Sequence, residues 1–329
     1  MINILDNKPA FSGLKIYRLK IKKIIKKNKK DLLIKKIYFN NKHTRFFFLK
    51  KKKNQYFLKF VKKDKIKFIN FQLYIHKWLI KKKVKVPKLF LEKKASYFND
   101  NFQDHYLLVY DFIKNNLTKF NKKKLSKFGS DLGYFHKRIK QLQNKEYIEN
   151  NTIKRIKFLK KNKDIFLKTK ANKIKFLKIY KILQKEKLFF NFFYGNLKKF
   201  QPLHGDLIPA NIIYNNKAKS YYFIDLEDMF YSYLPIEFDL ALFIERAILN
   251  VKISKKEKLV WIRTFLNNYF KNLKEKTLKF SIIDCIKFNS LKSILMLITI
   301  FNKTKVMNNK EMNKFLNLYS SKIKYLNVI

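Results

Sequence analysis

His204-Gly205-Asp206 is followed, five positions after the aspartate, by Asn211. A polar turn, Asn215-Asn216-Lys217, then separates two short apolar runs, Ile212–Tyr214 and Tyr221–Ile224, and the second run ends in Asp225, with Glu227 and Asp228 close behind. Two β-type runs joined by a polar turn make a hairpin. A hairpin folds back, so Asn211 at its entrance and Asp225 at its exit come side by side. An amide oxygen beside a carboxylate suits Mg²⁺, a hard cation that takes few protein oxygens and completes its shell with phosphates and water. Asp206, on the loop just before, stands where it could orient and deprotonate an attacking hydroxyl. These are the parts that phosphoryl transfer needs, and Glu227 or Asp228 could reach a second metal or the substrate. Without chemistry, the same stretch is an ordinary hairpin with polar ends. The chain holds only five Gly and five His, so a chance His-Gly-Asp with this sequel is rare.

His204 is expected to support the loop through a backbone hydrogen bond, and Gly205 to permit its tight bend. Acidic residues are scarce, 23 against 77 Lys and Arg. Six of them nevertheless crowd into Asp225–Glu245: Asp225, Glu227, Asp228, Glu237, Asp239 and Glu245. Carboxylates concentrated in so basic a chain point to a metal site or to a site for cationic groups.

Length and composition bound the rest. At 329 residues and 47% apolar residues the chain can bury a sizeable core and is not a disordered one. The formal charge of +54 would fit a nucleic-acid or membrane-surface binder. Lys, Asn, Ile, Phe and Tyr abound while Arg is rare, the usage of an AT-rich coding sequence. Arg is also the residue favoured for bidentate phosphate recognition. No specific nucleic-acid partner is therefore expected, and association with an anionic membrane surface stays open. One cysteine, Cys285, excludes an internal disulfide and fits a reducing cytoplasm. The N-terminal residues do not read as a signal peptide. Ser293–Asn302, the longest uncharged apolar stretch near the C-terminus, is too short to span a bilayer.

Several elements must position these residues. Leu32–Phe39, Thr44–Leu49 and Gln55–Val61 read as an antiparallel meander. Lys67–Lys82 has helical spacing, His105–Ile113 is an apolar strand, and Leu125–Ile139 is a helix. Residues 141–200 are helical, and Lys256–Phe270, Ile282–Phe301 and Lys310–Leu326 are amphipathic helices. Residues 1–30 form an N-terminal extension that could be helix or strand.

The D-x-x-x-x-N spacing of Asp206 and Asn211, Ile-Asp-Leu-Glu at 224–227, Asp239-Leu240-Ala241 and Leu132-Gly133 with His136 resemble the aminoglycoside phosphotransferase and choline kinase superfamily. The resemblance implies an α+β, bilobal protein-kinase-like fold. Its small antiparallel-sheet N-lobe would cover residues 1–113, with 1–30 as the extension, and its larger, mainly helical C-lobe residues 114–329. It implies a small-molecule kinase that uses ATP and Mg²⁺ to phosphorylate a hydroxyl of an amino alcohol, a sugar or an aminoglycoside-like acceptor in the cytoplasm. Asp206 would be the catalytic base, Asn211 and Asp225 the metal ligands, and Asp239 an acceptor for the loop's backbone N–H groups. Lys59 matches the strand lysine that grips the α/β-phosphates. The first hairpin turn lacks glycine, so Asn41 and Thr44 could supply donors to the phosphates, or the turn is merely solvated. Tyr110 and Phe112 would wall the adenine or simply pack the core. Gln72 stands where the family carries the glutamate that pairs with the lysine. That departure motivates the alternative of a pseudokinase or binding module, beside a charge-driven nucleic-acid or membrane-surface binder.

Overall fold

The computed structural model describes residues 32–40, 44–51, 54–92, 105–113, 120–185, 200–273 and 277–320. They divide into two compact units with bounds at Thr118/Lys119, Asn211/Ile212 and Ile224/Asp225, the hairpin Ile212–Ile224 clustering with the first unit. Within the first unit the Phe223 N–H of this hairpin donates to the Lys85 carbonyl at 3.0 Å.

In the first unit β1 (Leu32–Asn40), β2 (Thr44–Lys51), β3 (Asn54–Lys62), β4 (Leu89–Glu92) and β5 (His105–Asp111) form an antiparallel sheet of order β1-β2-β3-β5-β4. Helix α1 (Ile66–Lys81) buries Ile69, Gln72, Ile75, His76 and Leu79, the three- and four-residue spacing of one helical face. Ile69 joins Val61, Leu89 and Leu108 in a core cluster, against which Leu73, Tyr106 and Tyr110 pack. The helix closes at Lys83, whose φ of 60° lets the Val84 N–H return to the Leu79 carbonyl at 2.9 Å.

His76 makes this unit acid-sensitive. Its ring is 2% exposed and its Nδ1–H donates to the Pro87 carbonyl at 3.0 Å, so Nε2 is the nitrogen that must take up any further proton. Burial outweighs that hydrogen bond and holds its pKa at about 4. The unfolded ring protonates near 6.5, so this contribution to stability is complete above that pH and is lost as pH falls toward 4. The loss is on the order of 3 kcal/mol from the shift of roughly two units. Urea unfolding at pH 7 and pH 4.5 checks this: His76→Gln should lose clearly less stability on acidification than wild type, and an equal loss would refute it.

The second unit is helical: α2 (Lys122–Ile139), α3 (Lys145–Lys168), α4 (Lys170–Lys175), α5 (Leu177–Lys185), α6 (Glu237–Ile244), α7 (Lys255–Phe270), α8 (Ile282–Thr304) and α9 (Asn309–Ser320). Beyond Ser320 the expected last helix lies outside the described residues, as does the extension 1–30. Asn121 caps α2 by accepting from the Lys124 N–H, and Ser254 with Glu257 forms a capping box on α7. Helices α2 and α7 pack with their backbones close. A Cβ at Gly129 or Gly133 would run into the carbonyl oxygens of Phe265 and Tyr269 respectively. Helix α6 is apolar nearly all round and buried, as a central helix must be. Its Phe243 lies 4.5 Å from Phe128 and 4.9 Å from Phe265, between ring centroids. No described helix is long and apolar enough to cross a membrane.

Candidate active site

Asp206 sits on a loop anchored from below by Asp239. The buried Asp239 carboxylate accepts the His204 N–H on Oδ2 (2.8 Å) and the Gly205 N–H on Oδ1 (3.0 Å). The His136 Nε2 reaches the same Oδ2 at 3.1 Å, and His136 Nδ1 lies 2.7 Å from the Tyr269 hydroxyl. Burial alone would push the Asp239 pKa up, but the His136 hydrogen bond and charge, with His204 and the Gly205 N–H, hold it below the usual value. His136 is thus a buried support beneath the loop. Gly205 has φ +84°, and a Cβ there would collide with Ser232 Oγ and come within 2.9 Å of the Asp228 carbonyl. Only glycine satisfies both the left-handed backbone and the close approach.

Beyond Asp206 the chain makes a 3₁₀ turn, Pro209–Asn211. The Asn211 amide nitrogen donates to both the Asp206 carbonyl and Asp206 Oδ2, each at 2.9 Å. Both partners are acceptors, so the NH₂ must face them and the Asn211 Oδ1 points elsewhere. The hairpin β7 (Ile212–Asn215) and β8 (Ser220–Phe223) pairs Ile212 with Phe223, which leaves Asn211 and Asp225 at its open end. Asp225 is exposed and adopts φ 56°, ψ 57°, a backbone state uncommon outside glycine and often retained where function requires it.

A 3₁₀ segment, Leu226–Tyr231, follows, anchored by buried Leu226, Met229 and Phe230. The short strands β6 (Gln201–Pro202) and β9 (Tyr233–Leu234) pair, and the Leu203 N–H donates to the Ser232 carbonyl at 2.9 Å. This ribbon ties the Asp206 loop to the Asp225–Asp228 turn. Asp228 Oδ1 lies 3.0 Å from Arg155 Nη1, and the Arg155 guanidinium stands 5.1 Å from the Tyr231 ring centroid. Arg155 is delivered by α3, which Thr152 fastens to β9 by accepting the Tyr233 N–H at 2.9 Å.

Burial raises the Asp206 pKa first, and the negative charge of Asp228 next; His204 and Lys292 oppose the rise, and Asp225 adds to it. Lys292, half-buried on α8, has its pKa lowered by burial and by Arg155, against the pull of Asp228, Asp206 and Asp239. Six charged side chains, Asp206, Asp225, Asp228, Asp239, Arg155 and Lys292, therefore share one neighbourhood. Among the described residues no three or more His, Cys, Asp or Glu are grouped to hold a metal. The amide oxygen of Asn211 and the carboxylate of Asp225 nonetheless fit Mg²⁺, which takes one or two protein oxygens and draws the rest from phosphates and water.

Most of the remaining candidates belong to the first unit. Lys59, in the first unit, is 8% exposed and pairs with Phe46 and Leu108 across the sheet. Strand alternation puts it on the face of Val61, the face that α1 covers. Gln72 is also buried, 1% exposed. The Tyr110 ring packs on the core cluster, with centroids 5.6 Å from His76 and 6.1 Å from Phe57. Thr44 opens β2, and Asn41 lies outside the described residues. Glu227 is half-buried in the turn that carries Asp228. Arg155 and Lys292 escaped the reading of the sequence. The one signal was rarity: only six of the 77 basic residues are Arg, so an Arg in this chain is informative and a Lys is not.

The phosphotransferase enzyme family model matches residues 39–274, well over half of the chain. The chain belongs to that family. No curated protein sequence matches it. Among solved structures it is similar to spectinomycin phosphotransferase APH(9)-Ia in complex with ADP and spectinomycin, with 16% identity and a TM-score of 0.52 over 90% of this chain and 92% of that one. A thermostable mutant of aminoglycoside phosphotransferase APH(4)-Ia matches at 7% identity and a TM-score of 0.54, over 93% and 98%. At these identities the likeness is one of fold. The phosphotransferase has the α+β protein-kinase-like fold of those enzymes, with a small antiparallel sheet in one unit and a mainly helical second unit.

Proposed function

We propose that this phosphotransferase moves the γ-phosphoryl group of ATP to a hydroxyl of a small molecule. One observation carries the reading: Asn211 is locked to Asp206 through its amide nitrogen while its oxygen points away, at the same hairpin end that presents Asp225. The acceptor hydroxyl is oriented by Asp206, which takes its proton as the oxygen–phosphorus bond forms and ADP leaves. Burial and neighbouring carboxylates raise the Asp206 pKa, which makes it a better proton acceptor. Asn211 holds the Asp206 carboxylate in place, and Asn211 Oδ1 with Asp225 would hold Mg²⁺. The metal, when bound, neutralises phosphate charge. Lys59 is assigned to the phosphates, and the nucleotide bound in the similar APH(9)-Ia structure favours ATP as donor.

The test is Mg²⁺-dependent ATP binding, measured by calorimetric titration. Wild type should bind, and Asp225→Ala should bind at least tenfold more weakly, the scale of losing one charge-assisted contact. Equal binding would remove Asp225 from the metal site. Gln72, buried where the family carries a carboxylate, favours a second reading as a nucleotide-binding module without transfer. That reading expects ATP to bind without turnover by any acceptor.

A further inference from the structure

We infer that a corner of the second unit, built from the C-terminal ends of α3 and α8 with α4 and the start of α5, docks on an anionic membrane surface. The inference is independent of the kinase reading. Lysine alone would carry nothing here, because the whole chain is rich in it. The apolar side chains carry it. Among the described residues twelve large apolar side chains are exposed, and six lie in or just after these segments: Phe158, Ile165, Ile174, Leu177, Ile300 and Val306. Ile174 is 86% exposed and Val306 70%. One such side chain is ordinary, whereas several gathered in one place mark an interaction surface.

Packing gathers them. Phe158 and Ile165, seven residues apart, share a side of α3. The Asn172 amide donates to the Phe166 carbonyl at 3.0 Å, which folds α4 against the end of α3. The Phe176 ring lies 5.9 Å from that of Phe166 and 5.3 Å from that of Phe301, between centroids. With Phe176 turned inward, Ile174 and Leu177 on either side of it are left outside. Helix α8 is tied to the same place: Asn302 donates to the Asn162 carbonyl at 2.9 Å, and the Lys303 ammonium stands 5.7 Å from the Phe158 ring centroid. Ile300 and Val306 lie three residues before and after Lys303. Charge complements this apolar surface. From Lys157 to Lys178 the chain has nine lysines and one acidic residue, Asp164, against 77 basic and 23 acidic residues overall. Lys157, Lys160, Lys161 and Lys168 are exposed on α3, and Lys173 and Lys175 flank Ile174. Apolar side chains that enter the headgroup region, beside lysines that meet anionic lipid, make a membrane-docking surface. A second copy would bring the same positive charge against it. Nucleic-acid phosphates would engage the lysines and leave the aliphatic side chains in water.

The test is flotation of the full chain with vesicles at physiological ionic strength, one set of phosphatidylcholine and one of equal parts phosphatidylcholine and phosphatidylglycerol. Wild type should float with the anionic vesicles and stay behind with the neutral ones. Ile174→Gln combined with Leu177→Gln should weaken that binding at least about tenfold, the scale of losing two apolar side chains from a buried surface. Lys173→Gln with Lys175→Gln should weaken it about tenfold as well. Val260→Gln with Lys256→Gln, an exposed pair on α7, is the control and should change nothing. A thermal melt shows that each variant is folded, and the two test pairs keep the inference open to refutation if one is not. Failure of wild type to float, equal binding to neutral vesicles, no loss with the apolar pair, or an equal loss with the control pair would each overturn the inference. A wild-type dimer in sedimentation velocity that the apolar pair dissolves would overturn it too, making a second copy the occupant.

Discussion

Asp206→Asn is expected to cut phosphoryl transfer by about 10²–10⁴-fold, the range that a positioned general base contributes, without destabilising the protein. The carboxylate is partly buried beside Asp228 and Asp225, and its raised pKa records that this surrounding opposes its charge. An amide of the same shape can keep an oxygen toward Asn211 Nδ2, now 2.9 Å away, without that opposition. The melting temperature should stay level or rise, as happens where a residue is kept for activity at the cost of stability. Turnover with the best wild-type acceptor, read beside a thermal melt, checks both halves. Unchanged turnover would remove Asp206 from catalysis, and a drop in both would make it structural.

Asp239→Ala should behave in the reverse sense. Asp239 is 1% exposed and accepts from three donors: the backbone of His204 and Gly205, and the His136 ring. Without it those donors are buried with no acceptor. Breaking such a buried network costs about 3–5 kcal/mol. Denaturant unfolding at neutral pH should show that loss, and the activity that remains should fall too, because the Asp206 loop loses its anchor. A variant with wild-type stability would mean that the loop is held by the β6/β9 ribbon and Gly205 alone. The two variants together separate chemistry from support: one loses rate without stability, the other loses both.

Local pattern carried much of this protein. Apolar runs on either side of a polar turn specify the hairpin Ile212–Phe223, because a period of two and a turn leave the backbone few alternatives. The meander β1–β3 and helices α1, α2, α7 and α8 were legible for the same reason, since periodicity reports which face is buried. The spacing of Asp206 and Asn211 was equally legible, because a five-residue separation closes one tight turn within the loop itself. What spacing could not reveal is what a distant element brings. Arg155 and Lys292 come from α3 and α8, far from Asp206 in sequence; Arg155 meets Asp228, and Thr152 and Asn289 pin the two helices to β9 and α6. Neither lysine abundance nor helical periodicity distinguishes Lys292 from the other Lys residues of the chain. The acidic cluster of 225–245 shows the same limit: in sequence its six carboxylates look alike, and folding leaves Asp225 exposed. Packing commits Asp228 to Arg155, Glu237 to the Lys279 and Phe280 N–H groups, and Asp239 to the loop. The sequence by itself determined most of the elements and the spacing of the candidate groups, because those depend on neighbours a few residues apart. The tertiary structure alone decided which charges those groups face, because electrostatic energy depends on distance and burial, and the chain sets both only when it is folded.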